Sequence, residues 1–133
     1  MKKIDIVCII DDDPTHVFVT KRSLQLGNFC ESIMVFRNGK EAFDSLRAIC
    51  LAGERLPELI LLDINMPVWD GWNFLDEFTQ IPIASKIIVY IITSSNNPED
   101  IRRAEQYSLV SNFLIKPITI EKLQAELQDG SEK

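Results

Sequence analysis

Several polar side chains in this sequence come directly after short apolar runs, and together they form a set that could handle phosphate. They are carboxylates after residues 4–10 and 58–62, hydroxyls after 86–92 and a lysine after 112–115: Asp11, Asp12, Asp13, Asp63, Thr93, Ser94 and Lys116. Two carboxylates about 5 Å apart repel by about 3 kcal/mol at an effective dielectric constant near 20, so such a cluster needs a cation. Hard oxygen ligands with room for water favour Mg²⁺. Carboxylates, Mg²⁺, a hydroxyl and a lysine around one point are typical of a phosphoryl site.

The apolar runs are the elements that must position these groups. Five of them are short, nearly continuous and rich in Ile, Val and Leu, which is typical of strands buried on both faces of a parallel sheet. They occupy residues 4–10, 32–36, 58–62, 86–92 and 112–115. Amphipathic stretches lie between them, and the pairs Asp13-Pro14 and Asn97-Pro98 mark helix starts, as does Thr119 before the last helix. Five strands and five helices in strict alternation predict a doubly wound α/β sandwich.

One edge of this predicted sheet collects the polar set. In open α/β sheets, ligands lie beyond the carboxyl ends of the strands, at the point where the strand order reverses. Taken singly, each group has an ordinary explanation: DDDP (11–14) as a solvated loop with a helix cap, Thr93 as a turn cap, Lys116 as a surface lysine. Because the fold brings these strand ends to one edge, a shared site explains them better together.

Composition limits the classes of partner and compartment. The net charge of -6 argues against nucleic acid, whose phosphates select a basic face. The apolar run at the start is too short for a signal peptide and contains Asp5, and no run reaches the length of a membrane span. Cys8, Cys30 and Cys50 are odd in number and form no C-x-x-C pair, so a disulfide framework is not expected. A single domain in the cytoplasm, away from membranes, is predicted.

Four segments carry a resemblance to a known family. The acidic pair, DINMPVWDG (63–71), ITSS (92–95) and IKPI (115–118) occur in the order and near-standard spacing of the receiver domain of two-component response regulators, most simply the chemotaxis-regulator type. The resemblance spans residues 4–128. It implies one receiver domain over 1–133 with no effector domain, a five-stranded parallel sheet in the flavodoxin-like order 2-1-3-4-5, and a cytoplasmic, bacterial phosphoprotein of phosphorelay signal transduction.

The resemblance also implies roles for the acids. Asp63 would be the phosphoacceptor, attacking a phosphohistidine to form an aspartyl phosphate. Asp12 would bind Mg²⁺ directly, together with Asp63 and the backbone carbonyl of Asn65. Asp11 would act on the metal through a water molecule. Met66-Pro67 would turn the Asn65 carbonyl toward the metal, and Gly71 would free the backbone before the next helix.

Other positions would bind the phosphoryl group and respond to it. Lys116 would pair with the acids and then with the phosphoryl group, and Thr93 would hydrogen-bond one of its oxygens. Phe113 would follow Thr93 inward on activation, and Ser95 would lie with Asn65 on the site rim. The Lys116–Pro117 peptide bond would be cis, which only about 5–6% of X-Pro bonds are.

The family implies a regulatory protein that catalyses only its own phosphorylation and dephosphorylation. A sensor histidine kinase or a histidine phosphotransfer protein would supply the phosphoryl group. The face formed by helix four, strand five and helix five would then control an unidentified partner protein, with the domain as a monomer or as a dimer formed on activation.

Two other functions are open at this point. A Mg²⁺-dependent aspartyl phosphatase of the haloacid dehalogenase type needs a second aspartate two places after the nucleophile, where this chain has Asn65. A degenerate receiver would act as a binding module without phosphorylation, although the acid, lysine and threonine set is intact. Nucleotide or flavin binding has no phosphate loop to support it.

Some features depart from the family pattern or have no assigned role. Phe113 stands where the family often has Tyr, and YSLVSN (107–112) makes the stretch from Thr93 to Lys116 one residue longer than is common. CLAGERLPEL (50–59) is expected to be an extended surface loop. His16, the only histidine, is expected to pack on the surface or to contact the kinase.

Overall fold

A computed structural model gives the fold for residues 3–94 and 97–131. Its elements are β1 (Ile4–Ile10), α1 (Pro14–Leu26), β2 (Cys30–Phe36), α2 (Gly39–Leu51), β3 (Leu59–Asp63), α3 (Gly71–Phe78), β4 (Ile88–Thr93), α4 (Pro98–Ala104), β5 (Val110–Ile115) and α5 (Ile120–Ser131). All strand pairings are parallel, and the order is β2-β1-β3-β4-β5. The predicted doubly wound sandwich is confirmed.

The helix starts depend on side chains that bind the first free N–H groups. The Asp13 carboxylate accepts from the backbone of Thr15 and His16, with Pro14 as the first helical residue. Asn97 caps α4 in the same way before its proline, and the Thr119 hydroxyl accepts from the Lys122 N–H at 3.3 Å. The start signals read from the sequence are therefore correct.

The core lies on both faces of the sheet because the strands alternate their side chains. Ile60 and Leu62 of β3 face a cluster with α2 and α3, whereas Leu59 and Leu61 face one with α1 and α5. All five residues of β3 are buried, Asp63 included. Full burial of one such aliphatic side chain contributes about 1.5–3 kcal/mol, so the core fixes the register that delivers Asp63 to the sheet edge.

A bulge near the start of β5 accommodates one extra residue in the stretch from Thr93 to Lys116. Val89 pairs with Val110, but Tyr90 pairs with Asn112, so Ser111 is the extra residue opposite this step. Beyond Ser111 the normal register resumes, and Thr93 lies opposite Ile115. The extra length therefore does not displace Lys116, which follows the strand.

The remaining sequence predictions concern the loop, the cysteines and the boundaries. The loop expected over residues 50–59 is shorter, since α2 continues to Leu51 and β3 begins at Leu59; residues 52–55 are exposed, but Pro57 is buried. The three cysteines are free thiols. None of the helices in the described part of the chain has the length and apolar content needed to cross a membrane. β2 and β5 each begin two residues earlier than predicted, at Cys30 and Val110, because pairing with β1 and β4 continues past the apolar run.

Candidate functional site

Three carboxylates meet at the carboxyl edge of the sheet. β1 and β3 are neighbours with Ile10 opposite Leu62, so the residues that follow this pair, Asp11 and Asp63, lie side by side. One ligand oxygen from each of Asp11, Asp12 and Asp63 lies within 4.8 Å of the others. Asp11 and Asp63 are only 2% and 3% exposed, whereas Asp12 is exposed. The cluster therefore has a buried base and one open side.

Lys116 brings a positive charge to this cluster from β5. Its Nζ lies 3.2 Å from Asp63 Oδ2 and 3.3 Å from Asp11 Oδ2. The backbone N–H of Lys116 donates to the Thr93 carbonyl at 2.7 Å, and the Lys116–Pro117 peptide bond is cis, as the family resemblance predicts. The lysine thus bridges the two buried acids.

Burial and charge act in opposite directions on these groups. Desolvation is the main cause that raises the pKa of Asp63, to about 6, and the Asp11 charge adds to it. The same desolvation acts on Asp11, but hydrogen bonds from His16 and the Asp13 N–H, with the Lys116 charge, hold its pKa below the ordinary value. Burial would lower the pKa of Lys116, but the two carboxylates raise it above the ordinary value. Asp63 is therefore the acid whose charge is least compensated.

The loop after β3 wraps closely around Asp63. The Asn65 N–H donates to Asp63 Oδ1 at 3.0 Å. A Cβ on Gly71 would lie 2.8 Å from the Asp63 carbonyl oxygen and from Ile64 Cα, so glycine is required for this close approach. The unusual backbone of the loop lies at Val68, with φ of 68°. The expectation that Gly71 supplies backbone freedom is therefore corrected, since its role is steric.

Thr93 and Phe113 lie on β4 and β5, the strands on the Lys116 side of the cluster. Thr93 ends β4 and is fully buried. Phe113 is half-buried against the core, opposite Ile91, and it lines a surface groove between α4 and β5. The expected rim residue Ser95 lies outside the described residues.

His16 was misplaced by the sequence prediction. It is 7% exposed rather than on the surface, and its Nδ1 lies 2.5 Å from Asp11 Oδ2. Its Nε2 lies 3.3 Å from the backbone nitrogen of Ile118, which donates to it. The ring therefore lies behind the acidic cluster, between Asp11 and the segment that follows Lys116.

The two tryptophans of the loop region pack against neighbouring helices. Trp69 lies 5.4 Å from the Phe43 ring, between centroids. Trp72 stacks on Tyr107 with 5.9 Å between ring centroids, and Arg103 Cζ lies over the Trp72 ring at 4.7 Å from its centroid. These contacts tie the loop after β3 and the start of α3 to α2 and to the segment after α4.

Known proteins are similar to this chain over nearly its whole length. The family model described as the response regulator receiver domain matches residues 7–128. A probable methanogenesis regulatory protein, FilR2 of Methanothrix harundinacea, is 31% identical over 96% of this chain and 81% of its own length. A probable chemotaxis protein, CheY of Rhizobium etli, is 31% identical over 92% of this chain and 88% of its own.

Solved structures agree in fold, and the lengths of the relatives differ. The crystal structure of a two-component response regulator from Cytophaga hutchinsonii has a TM-score of 0.87 and 33% identity, covering 99% of this chain and 100% of that one. For other curated relatives, among them transcriptional regulatory proteins, the chain spans about half of their length.

Proposed function

This chain belongs to the family of response regulator receiver domains, and we propose from that premise that Asp63 is its phosphoacceptor. The observation that carries the proposal is the arrangement of charges around one buried carboxylate. Asp63 is 3% exposed, shares a 4.8 Å cluster with Asp11 and Asp12, and has the Lys116 ammonium 3.2 Å from one oxygen. The haloacid dehalogenase alternative is disfavoured because Asn65 stands where that family needs its second aspartate.

The donor set fits Mg²⁺. Three carboxylates supply hard oxygens, and the exposure of Asp12 leaves one side for water. Asp12, Asp63 and the Asn65 backbone carbonyl would hold the ion, with Asp11 acting through water. When bound, the ion would supply positive charge against the phosphoryl oxygens.

The reaction is a transfer of the phosphoryl group from nitrogen to oxygen. An Asp63 carboxylate oxygen forms the new bond to phosphorus while the bond to the imidazole nitrogen of a phosphohistidine breaks, and the electron pair stays on that nitrogen. Lys116 neutralises charge at the phosphoryl group, and the Asn65 N–H holds the other carboxylate oxygen at 3.0 Å. The Thr93 hydroxyl binds a phosphoryl oxygen.

The partners follow from this chemistry. A sensor histidine kinase or a histidine phosphotransfer protein donates the phosphoryl group, and a downstream protein reads the face of α4, β5 and α5. A phosphoryl group adds about two negative charges at Asp63, so Thr93 moves toward it and Phe113 turns inward, shifting an equilibrium between two packings of that face. The domain acts as a regulator, and its only catalysis is its own phosphorylation and dephosphorylation.

Labelling with a small acyl-phosphate donor tests the proposal. Wild-type protein should incorporate phosphate only with Mg²⁺, and Asp63→Asn should incorporate none while keeping its fold, because the amide keeps the shape and removes the nucleophile. Mass mapping of the labelled residue is the measurement. Equal labelling of the variant would overturn the assignment of Asp63, and unlabelled wild type would favour a binding module that works without phosphorylation.

A further inference from the structure

The only histidine of the chain joins two parts of the site from behind. Asp11 Oδ2 lies 2.5 Å from Nδ1 of His16, and the Ile118 backbone nitrogen lies 3.3 Å from Nε2. Asp11 belongs to the acidic cluster, and Ile118 follows directly after the cis Lys116–Pro117 bond. The ring is nearly buried, so no water competes strongly for either nitrogen.

The backbone contact determines the tautomer of this ring. A peptide N–H can only donate, so the Nε2 atom that receives the Ile118 N–H must carry a lone pair. The ring proton therefore lies on Nδ1 and is donated to Asp11 Oδ2. The Thr20 hydroxyl, 3.5 Å from Nε2, can donate to the same lone pair. Each contact around the ring is thus compatible with one tautomer, Nδ1–H.

His16 leaves the Asp11 carboxylate little freedom to rotate. Oδ2 accepts from His16, while Oδ1 accepts from the Asp13 N–H at 3.0 Å and lies 3.4 Å from the Lys116 ammonium. A carboxylate bound at both oxygens presents its remaining lone pairs in fixed directions. Groups that bind a ligand from behind in this way orient it and raise its affinity for a metal.

We propose that His16 is a positioning residue for the phosphoryl site, fixing the Asp11 carboxylate through Nδ1–H and the backbone after Lys116–Pro117 through Nε2. One ring then sets the position of Asp11, which follows β1, relative to the segment after β5 that contains Lys116. The inference rests on the proposed function, since it concerns how well the acidic cluster binds Mg²⁺.

The tautomer can be measured without any ligand. In ¹⁵N-labelled protein the single histidine gives one unambiguous pair of ring nitrogen signals. We expect a protonated Nδ1 and an unprotonated Nε2 near pH 8. A ring protonated on Nε2 instead would overturn the proposal, because Ile118 could not then donate to it.

Mg²⁺ affinity, measured by calorimetry on the full chain, tests the consequence. His16→Leu should weaken binding about tenfold, and His16→Asn should recover most of this loss, since its amide can donate to Asp11. Ser23→Ala is the matched control: it removes another buried hydrogen bond from α1 to Ile118, from Oγ to the carbonyl at 3.1 Å, but touches no acid. It should bind Mg²⁺ as the wild type does.

The outcomes separate the inference from the proposed function. Wild-type protein that binds no Mg²⁺ would overturn the proposed function itself. If the wild type binds Mg²⁺, three results would overturn only the positioning role. They are a His16→Leu variant that binds Mg²⁺ as tightly as the wild type, a His16→Asn variant that recovers none of the lost affinity, and a Ser23→Ala variant that loses as much affinity as His16→Leu. Urea unfolding of each variant shows that it is folded, and if His16→Leu does not fold, the asparagine variant and the ring tautomer decide.

Discussion

Replacing Asp63 by asparagine should stabilise the fold when no metal is bound. At an effective dielectric constant of 20, Lys116 at 3.2 Å attracts the Asp63 charge by about 5 kcal/mol, and an Asp11 oxygen within 4.8 Å repels it by at least about 3.5 kcal/mol. These charge terms largely offset each other. What remains is the cost of burying a carboxylate that is 3% exposed.

The pKa of Asp63 gives the size of this cost. Burial raises it from an ordinary 3.8 to about 6, and each pKa unit corresponds to about 1.4 kcal/mol, so the ionised form costs the fold about 3 kcal/mol. Asparagine keeps the acceptor for the Asn65 N–H and carries no charge. Allowing for the burial of its amide, we expect Asp63→Asn to be about 2–3 kcal/mol more stable than wild type at pH 8.

The pH dependence has a definite sign. The pKa of Asp63 is higher in the folded than in the unfolded protein, so between about pH 4 and pH 6 the folded state binds the proton more tightly. The wild type therefore loses stability as the pH rises through this range, and above it neither state is protonated at Asp63. The variant has no such group. Its advantage should therefore be complete at pH 8 and nearly absent at pH 4.

Urea unfolding in EDTA at both pH values, followed by tryptophan fluorescence, measures the difference. Saturating Mg²⁺ should cancel the advantage, because a ligand at 100 times its Kd stabilises the wild type by about 2.7 kcal/mol. Asp44→Asn, which removes an exposed carboxylate paired with Lys40, is the control and should change stability by less than about 1 kcal/mol. A variant no more stable than wild type at pH 8 in EDTA would refute the reasoning.

Three further predictions concern the metal, the switch and the loop. Asp12→Ala should weaken Mg²⁺ binding, followed by tryptophan fluorescence, more than Asp11→Ala does, because only Asp12 is assigned a direct bond; equal losses would mean that the order of the pair is wrong. Thr93→Ala should still accept phosphate but transmit it poorly, so amide exchange across 97–127 should respond less to a beryllofluoride mimic than in wild type; an unchanged response would remove Thr93 as the coupling residue. Gly71→Ala should cost about 1–3 kcal/mol in urea unfolding, because its Cβ would lie 2.8 Å from the Asp63 carbonyl oxygen, and a neutral result would show that the loop can shift.

The fold could be predicted because its central strands, β1, β3 and β4, are largely buried. Such strands read as continuous apolar runs, and the caps before Pro14 and Pro98 mark the helices between them. The site could be predicted for a related reason, since parallel strands deliver their carboxyl ends to one edge and Asp63 and Lys116 are the residues found there. The bulge at Ser111 could not be located, because a register shift depends on pairing partners that are distant in sequence.

His16 was missed because the inner face of α1 is not its apolar face. Phe18 and Leu26 are 67% and 66% exposed, so the large apolar residues suggest the wrong side of this helix. The buried positions are His16, Thr20, Ser23 and Leu24. Steps of four residues back from Leu24 lead to Thr20 and then to His16. This spacing could have identified the His16 ring as an inward-facing group.

A polar inner face on α1 has a structural consequence for the site. Buried polar groups destabilise a fold unless they are hydrogen-bonded, and each of these is: His16 to Asp11 and Ile118, Thr20 to His16, and Ser23 to the carbonyls of Val19 and Ile118. Two of the three therefore bind the same residue after the cis bond, from its N–H and from its carbonyl. Of the three side chains, only His16 bonds both the Lys116 segment and Asp11, so its ring sets the position of one relative to the other, which is the alignment that a lysine shared by two carboxylates requires.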